Sequence, residues 1–357
     1  MSRAPLRVAL LGAGTVGWEV ARALTERGPE LTPDGGPPLQ LVGIAVRDLD
    51  RARAAGLPAD LLTDGPAHLV AAPDTDVVVE LMGGDEPAHT LIAAALSAGK
   101  AVVTANKHVI AHHGPELEAI ARRTGAALRF EAAVGGGIPV LGPLASDLAA
   151  NRIRAVRGIV NGTTNYILSA MTDEGRDYAA VLADAKAAGY AEADPTGDVE
   201  GHDAVNKLVI LARLAFGTWI DPADVITIAD AGPGRGARGI TGVDIDDIAG
   251  ARSRGQVIKL LAEAVRPDDG GAGATAAASV LPREVPADSP FGRTSGVLNR
   301  IEIEAEPVGI VAFSGPGAGG PATASAVLGD LIAVARDLGS TWAGLPAATA
   351  RATAGSR

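Results

Sequence analysis

A chain of 357 residues is longer than one compact core supports and points to two domains. Its formal net charge of −11 argues against a nucleic-acid or anionic-membrane surface, and its lack of cysteine rules out disulfides, thiolate metal sites and thioester chemistry. With 47% hydrophobic and 20% charged residues the composition is globular, yet only 3% is aromatic, so alanine and branched aliphatics must build the core. A strand pattern follows soon after Met1 and no long apolar run occurs. Neither a signal peptide nor a membrane span is therefore expected, and the cytoplasm is the default location.

In chain order, Leu6–Leu11 is a short apolar run suited to a strand buried on both faces of a parallel sheet. Gly12-Ala13-Gly14-Thr15-Val16-Gly17 follows, then a helical pattern with Val16, Val20, Ala23 and Leu24 on one side. Strand, glycine turn and helix start in this order form a dinucleotide fingerprint. Gly12 permits the turn, Gly14 lets a pyrophosphate approach the backbone, and Gly17 lets helix pack on strand. The helix N-terminus offers its free N–H groups to the phosphates. Residues 28–38 read as a Pro/Gly-rich loop, and 39–46 as the second strand, ending in Arg47-Asp48. A carboxylate at that strand end would bond the ribose of NAD, whereas Arg47 suits the extra phosphate of NADP; an exposed Arg-Asp turn accounts for the pair equally well. NADP is slightly favoured, with NAD also open.

Residues 75–82 read as another buried strand, followed by Gly83-Gly84 and a helix over 87–97. The next strand and its carboxyl end cover 100–107, which puts Asn106 and Lys107 where ligands bind in open parallel sheets, unless Lys107 is only a solvated charge. Residues 128–134 look like this domain's last strand, broken by Gly135-Gly136-Gly137-Ile138-Pro139. Three glycines can turn carbonyls toward one point beside Glu131 and hold a monovalent cation, or they can serve as an interdomain hinge.

From about Asn151 the pattern changes. Residues 153–160 read as a strand leading into Asn161-Gly162-Thr163-Thr164-Asn165-Tyr166, a polar turn that caps a helix. A helix over 178–188 precedes an acidic, Pro/Gly-punctuated loop that runs into the apolar helix His202–Phe216. Asp203 and Lys207 lie four apart there and share a face, so the carboxylate can hold the ammonium in one rotamer and aim a proton donor. The plainer alternative is a solvated loop with an ordinary ion pair. Gln256–Val265 suits a strand, 267–278 has no periodicity and reads as a mobile connection, and 301–306 alternates as a half-exposed antiparallel strand with 309–313 as its hairpin partner. Gly315-Pro316-Gly317-Ala318-Gly319-Gly320 then feeds a helix over 323–337, and the Ala/Thr-rich tail reads as frayed.

Six motifs in this order make the chain resemble the homoserine dehydrogenases over nearly its whole length. They are Gly12–Gly17, Thr104-Ala105-Asn106-Lys107, residues 131–139, residues 161–168, residues 189–207 and residues 315–330. The resemblance implies NAD(P)-dependent interconversion of L-homoserine and L-aspartate 4-semialdehyde, on the route to threonine, isoleucine and methionine. By the same resemblance Lys207 matches the catalytic lysine, Lys107 a second lysine at the reacting oxygen, and Glu192 and Asp203 the substrate-binding carboxylates, with Asp198 nearby. Val134, Gly136 and Ile138 with Glu131 match a sodium-like cation site, and Thr15, Val16, Arg47, Lys107 and Gly317 match dinucleotide contacts.

Pattern and resemblance together predict an α/β chain. A Rossmann-type parallel-sheet domain covers 1–150, an α+β catalytic and dimerisation domain with a mixed sheet 151–314, a helix returning to the nucleotide domain 315–340, and a tail 341–357. A homodimer formed by pairing sheets is expected. Many bacterial members carry a C-terminal ACT regulatory domain; the chain stops at Arg357, so a short form without that route to threonine feedback is expected. Gly320-Pro321-Ala322-Thr323 also departs from the family's commoner order, which puts proline next to threonine.

Three rival activities compete with this one. Aspartate-semialdehyde dehydrogenase chemistry needs a nucleophilic cysteine, and the chain has none. A 2-hydroxy-acid dehydrogenase would need a His-carboxylate pair, for which His202 is the one tempting residue. A catalytically silent nucleotide sensor would keep the fingerprint without both lysines and the acidic loop.

Overall fold

The computed structural model describes residues 4–32, 34, 36–267 and 276–348. Two compact units divide them: the residues up to Ser146 together with Ala318–Ala347, and Asp147–Gly317.

The first unit alternates strand and helix: β1 (Leu6–Leu11), α1 (Thr15–Leu31), β2 (Leu39–Ala45), α2 (Leu49–Ala54), β3 (Leu62–Thr63), α3 (Pro66–Ala71), β4 (Val77–Glu80), α4 (Ala88–Ser97), β5 (Ala101–Thr104), α5 (Lys107–Thr124), β6 (Leu128–Arg129) and α6 (Leu141–Ala145). All pairings in its sheet are parallel, in the order β3-β2-β1-β4-β5-β6. The order reverses between β1 and β4, so the ends of these two strands open the crevice where doubly wound sheets take their ligands. Val77, Val78, Val79 and Glu80 of β4 are all fully buried, as a strand covered on both faces requires.

The structure departs from the sequence expectation at two places. The 28–38 loop begins later than expected, because α1 runs on through Pro29 to Leu31. It does so across a kink at Arg27 (φ −123°, ψ 15°), so the proline falls in the first turn of the resumed helix, where no backbone N–H is required. The strand expected over 128–134 stops at Arg129. Asp330 accepts the Glu131 N–H (2.8 Å) and the Arg129 guanidinium (2.8 Å), which draws the chain into a 3-10 turn over Glu131–Ala133.

The second unit contains β7 (Arg152–Ile159), α7 (Gly162–Glu174), α8 (Tyr178–Ala187), α9 (Thr196–Val199), α10 (His202–Phe216), α11 (Ile245–Ser253), β8 (Gln256–Val265), β9 (Ala277–Pro286), α12 (Pro290–Arg293), β10 (Leu298–Glu306) and β11 (Gly309–Pro316). Its five strands pair antiparallel in the order β11-β10-β7-β8-β9, and an isolated Ile226–Ser279 bridge adds a parallel contact at β9. Strand β9 is not among the strands the sequence predicts. The 267–278 connection falls largely on residues 268–275, outside the described residues. Helix α10 is buried continuously from Asp203 to Ala215, as its nearly all-round apolar sequence demands.

Helix α13 (Gly320–Ala335) belongs to the first unit. Its Ala324, Val327 and Leu331 pack into the core made by Val20, Ala21 and Leu24 of α1 with the strands beneath. Among the described residues no helix is long and apolar enough to cross a membrane.

Candidate active site

In the first unit the Gly12–Gly17 turn has the geometry a dinucleotide needs. Gly12 sits at φ +94°, a conformation disfavoured for side-chain-bearing residues, and a Cβ there would meet the Leu81 carbonyl oxygen at 2.7 Å. At Gly17 a Cβ would overlap the Gly12 carbonyl oxygen, so the third glycine is what lets α1 rise so close to the turn. A Cβ at Gly14 would meet nothing within 4 Å, which leaves open space beside the N-terminus of α1. Thr15 and Val16 open that helix, and their N–H groups belong to the unpaired set that favours an anion. Gly320, at the start of α13, packs with its Cα against Thr15. The turn and the residues around it therefore fit a pyrophosphate.

At the end of β2, Asp48 is the cap of α2, accepting the Arg51 N–H at 2.9 Å, while Arg47 is exposed. The carboxylate an NAD-type ribose contact would use is thus already bonded.

The ends of β4 and β5 are braced by a carboxylate that no sequence motif marks. Glu80 is fully buried; its Oε1 accepts N–H bonds from Met82 (2.8 Å) and Gly83 (3.2 Å), and its Oε2 accepts the Thr104 hydroxyl (2.7 Å). Thr104 in turn accepts the Asn106 N–H, and the Asn106 amide donates to the Gly84 carbonyl (2.8 Å) while capping α5 through Val109 N–H. This chain fixes Lys107, half-buried, at the first position of α5. A cation there opposes the helix dipole, a local conflict typical of a functional position.

Glu131 is bonded at both oxygens: Oε1 to the N–H groups of Val140 and Leu141 (2.8 Å each), Oε2 to Gly142 N–H (2.7 Å). Burial pushes its pKa up, and the nearby negative charge of Asp330 adds to the rise, against the three amides. Gly135 and Gly136 both take positive φ (+75° and +57°), and Ile138 N–H returns to the Gly135 carbonyl. A confined, uncomfortable negative charge beside a tightly reversed glycine loop suits a nearby cation.

In the second unit β7 ends at Ile159, and the Val160 carbonyl follows. Lys207 is buried on α10, and its Nζ donates to Val160 O (2.6 Å) and to Asp203 Oδ2 (2.7 Å). Asn161 joins these groups: its amide donates to Asp203 Oδ2 (2.8 Å) and Asp198 Oδ1 (2.8 Å), and its Oδ1 accepts Thr164 N–H at the head of α7. The acidic loop is held by Thr163, whose hydroxyl donates to Tyr190 O (2.7 Å), and by Lys186 on Ala193 O (2.9 Å). Asp198, Asp203 and Lys207 are thereby brought into one network with Asn161, while Glu192 is exposed on the loop outside it. The sequence marks Asn161 only as part of a helix-capping turn, and its second duty is invisible without the fold.

Gly317 closes this unit. A Cβ on it would overlap the side-chain amide of Asn299, a fully buried residue.

The two units match two family profiles in succession: "Homoserine dehydrogenase, NAD binding domain" over residues 12–131 and "Homoserine dehydrogenase" over 139–332. The homoserine dehydrogenase of Corynebacterium glutamicum is 46% identical over 349 residues, covering 96% of this chain and 76% of that protein. That of Mycobacterium tuberculosis H37Rv is 47% identical over 335 residues, with coverage of 93% and 73%. Among solved structures, the Thiobacillus denitrificans homoserine dehydrogenase superposes with a TM-score of 0.87 at 39% identity, covering 97% of this chain and 80% of its own. A hyperthermophilic archaeal homoserine dehydrogenase in complex with NADPH gives 0.75 at 27% identity, with coverage of 93% and 98%. Fold and matches define an oxidoreductase that acts on a CH–OH group and carries a nicotinamide-dinucleotide-binding domain. The chain belongs to the homoserine dehydrogenase family.

Proposed function

We propose that this chain interconverts L-homoserine and L-aspartate 4-semialdehyde on the route to threonine, isoleucine and methionine, with Lys207 as the acid–base group. The bound nicotinamide would supply or take up the hydride. As the neutral amine Lys207 takes the hydroxyl proton when the alcohol is oxidised, and the ammonium so formed returns that proton in reduction, where its charge steadies the developing alkoxide. Lys107 is the second ammonium at the reacting oxygen. Glu192 and Asp203, with Asp198 nearby, receive the α-ammonium of homoserine. The observation that carries this reading is the buried Lys207 ammonium, bonded by Asp203 and Val160 in one orientation rather than waving in solvent.

In the same reading the first unit is the nucleotide domain, with Gly12, Gly14, Thr15, Val16, Gly17, Arg47, Asn106 and Lys107 at the dinucleotide, and Gly317 completing the set. NADP is favoured over NAD because Asp48 is bonded as a cap and Arg47 is exposed. A sodium-like cation sits on the carbonyls of Val134, Gly136 and Ile138, with the buried charge of Glu131 as its counterpart. A homodimer is supported by β11, an edge strand on which Ile310 is 65% exposed, next to Val308 at 50%. We place the enzyme in the cytoplasm.

The test is absorbance at about 340 nm, the reduced-nicotinamide band, with homoserine and each dinucleotide in turn. Homoserine-dependent reduction is the expected outcome. A flat trace with both cofactors would favour the nucleotide-sensor reading instead.

A further inference from the structure

Strand β10 buries four alternate residues, Asn299, Ile301, Ile303 and Ala305. Three are apolar, as the core face of a half-exposed strand requires, and the fourth is a carboxamide. Asn299 is fully buried, and neither its Nδ2 nor its Oδ1 has a hydrogen-bond partner. Burying an amide in this way is unfavourable, because its bonds to water are given up and nothing replaces them. A leucine would fill similar space without that cost.

What lies against this amide is backbone. Asn299 pairs with Gly315 in the β10–β11 ladder, which ends one step on, at Leu298–Pro316. Gly317 and Ala318 lie beyond the ladder, and a Cβ on Gly317 would overlap the nitrogen and the carbon of the Asn299 carboxamide. Gly317 therefore passes directly over the side chain. Gly319 holds φ +117° and ψ 144°, a conformation open in practice only to glycine. Ala318 and Gly319 are exposed, so the peptide planes of this short segment can re-set without disturbing packed side chains. On its other side β10 pairs with β7 as far as Arg300–Ile159. One further step of that register sets Asn299 opposite Val160, whose carbonyl takes the Lys207 ammonium.

We propose that Asn299 is a positioning residue for the dinucleotide. With the dinucleotide bound, the Gly317–Gly319 segment settles on the carboxamide, whose Nδ2 donates to a carbonyl of the segment while its Oδ1 accepts one of the segment's N–H groups. A carboxamide carries donor and acceptor side by side and so complements a peptide backbone. Gly317 is one of the dinucleotide contacts proposed above, and the role of Asn299 rests on that assignment. Bonds unmade in the free chain and made in the bound one add to dinucleotide affinity rather than to stability, since a ligand draws only on what differs between the two states. An unpaired buried amide where a leucine would serve the core is the mark of such a residue.

Asn299→Leu in the full chain is the test. NADPH and NADH are titrated by the change in their fluorescence, beside thermal unfolding of the free chain. The variant should bind the dinucleotide about tenfold more weakly, while its Tm without ligand is unchanged or higher. Asn299→Ala, which leaves a cavity instead, should lower Tm and show the same loss of affinity. Hydrogen exchange of residues 315–320, read by mass spectrometry, should slow when NADPH is added to the unmodified chain and stay fast in both variants. Unchanged affinity in the two variants would overturn the proposal. So would a lower Tm in Asn299→Leu with exchange still slowed by NADPH, which would make the amide a structural part of the free chain only. An unmodified chain that binds neither dinucleotide would instead overturn the assignment of the dinucleotide contacts, and this role with it.

Discussion

Lys207 Nζ lies 2.7 Å from Asp203 Oδ2, one helical turn back on α10, and both side chains are about nine-tenths buried. Removing one partner of such a pair leaves an uncompensated buried charge, at a cost of about 3–5 kcal/mol. Asp203→Asn keeps the shape and removes the charge. It should lower the melting temperature measurably and cut kcat by a factor on the order of 10² or more, while the dinucleotide still binds. Thermal unfolding alongside steady-state rates checks both halves.

Asn161 is the node that holds Asp198 and Asp203 together. Asn161→Ala withdraws an N–H donor from each carboxylate and the cap from α7. A loss of about 1–3 kcal/mol is expected, with KM for homoserine rising more than KM for the dinucleotide. Urea unfolding and initial-rate kinetics with each substrate varied would show equal effects on both KM values if the node were merely structural.

Both positions show how far the sequence could be read. The fingerprint turn, the β1–α1 unit and the Asp203–Lys207 register are local: a strand, three glycines and an i,i+4 spacing announce themselves within twenty residues. Glu80 and Asn161 depend on contacts 24 and 42 residues away, which no periodicity encodes. Strand β9 was hidden for a related reason, since it is defined by pairing with β8 across residues 268–275 rather than by its own alternation. The truncated β6 went unseen because Asp330, some 200 residues on, pulls the chain out of the sheet. Glu192 was legible as an acidic loop residue, but its exposure was not.

Gly17→Ala tests the dinucleotide turn. Its Cβ would run into the Gly12 carbonyl oxygen, which is backbone and cannot swing away. Destabilisation of about 1–3 kcal/mol is expected together with at least tenfold weaker binding of reduced dinucleotide, read by fluorescence titration and calorimetry.

Arg47→Ala tests cofactor choice. Loss of a charge-assisted bond to a 2′-phosphate is worth about 1.5–3 kcal/mol, so kcat/KM with NADP should fall roughly tenfold or more while the value with NAD stays near its starting point. Equal losses with both dinucleotides would assign Arg47 no part in the choice.

Lys259 predicts a pH dependence of stability. It is buried on β8, donating to Asn165 Oδ1 (3.0 Å), Ser169 Oγ (3.0 Å) and Thr294 O (2.8 Å), and burial lowers its pKa to about 8. Between that value and the ordinary lysine pKa the unfolded chain binds the extra proton. Stability therefore rises with pH across that window, and the cost of the buried charge is fully present below pH 8. Urea unfolding at pH 7.5 and 9.5 should show the unmodified chain gaining on Lys259→Met by about 2 kcal/mol. A constant difference would contradict the assignment.

The role given to Lys207 is tested most directly by homoserine-dependent dinucleotide reduction in Lys207→Ala, measured beside that variant's dinucleotide affinity. The account predicts turnover reduced by about 10²–10⁴ with affinity for the cofactor intact. Turnover close to that of the unmodified chain would contradict it.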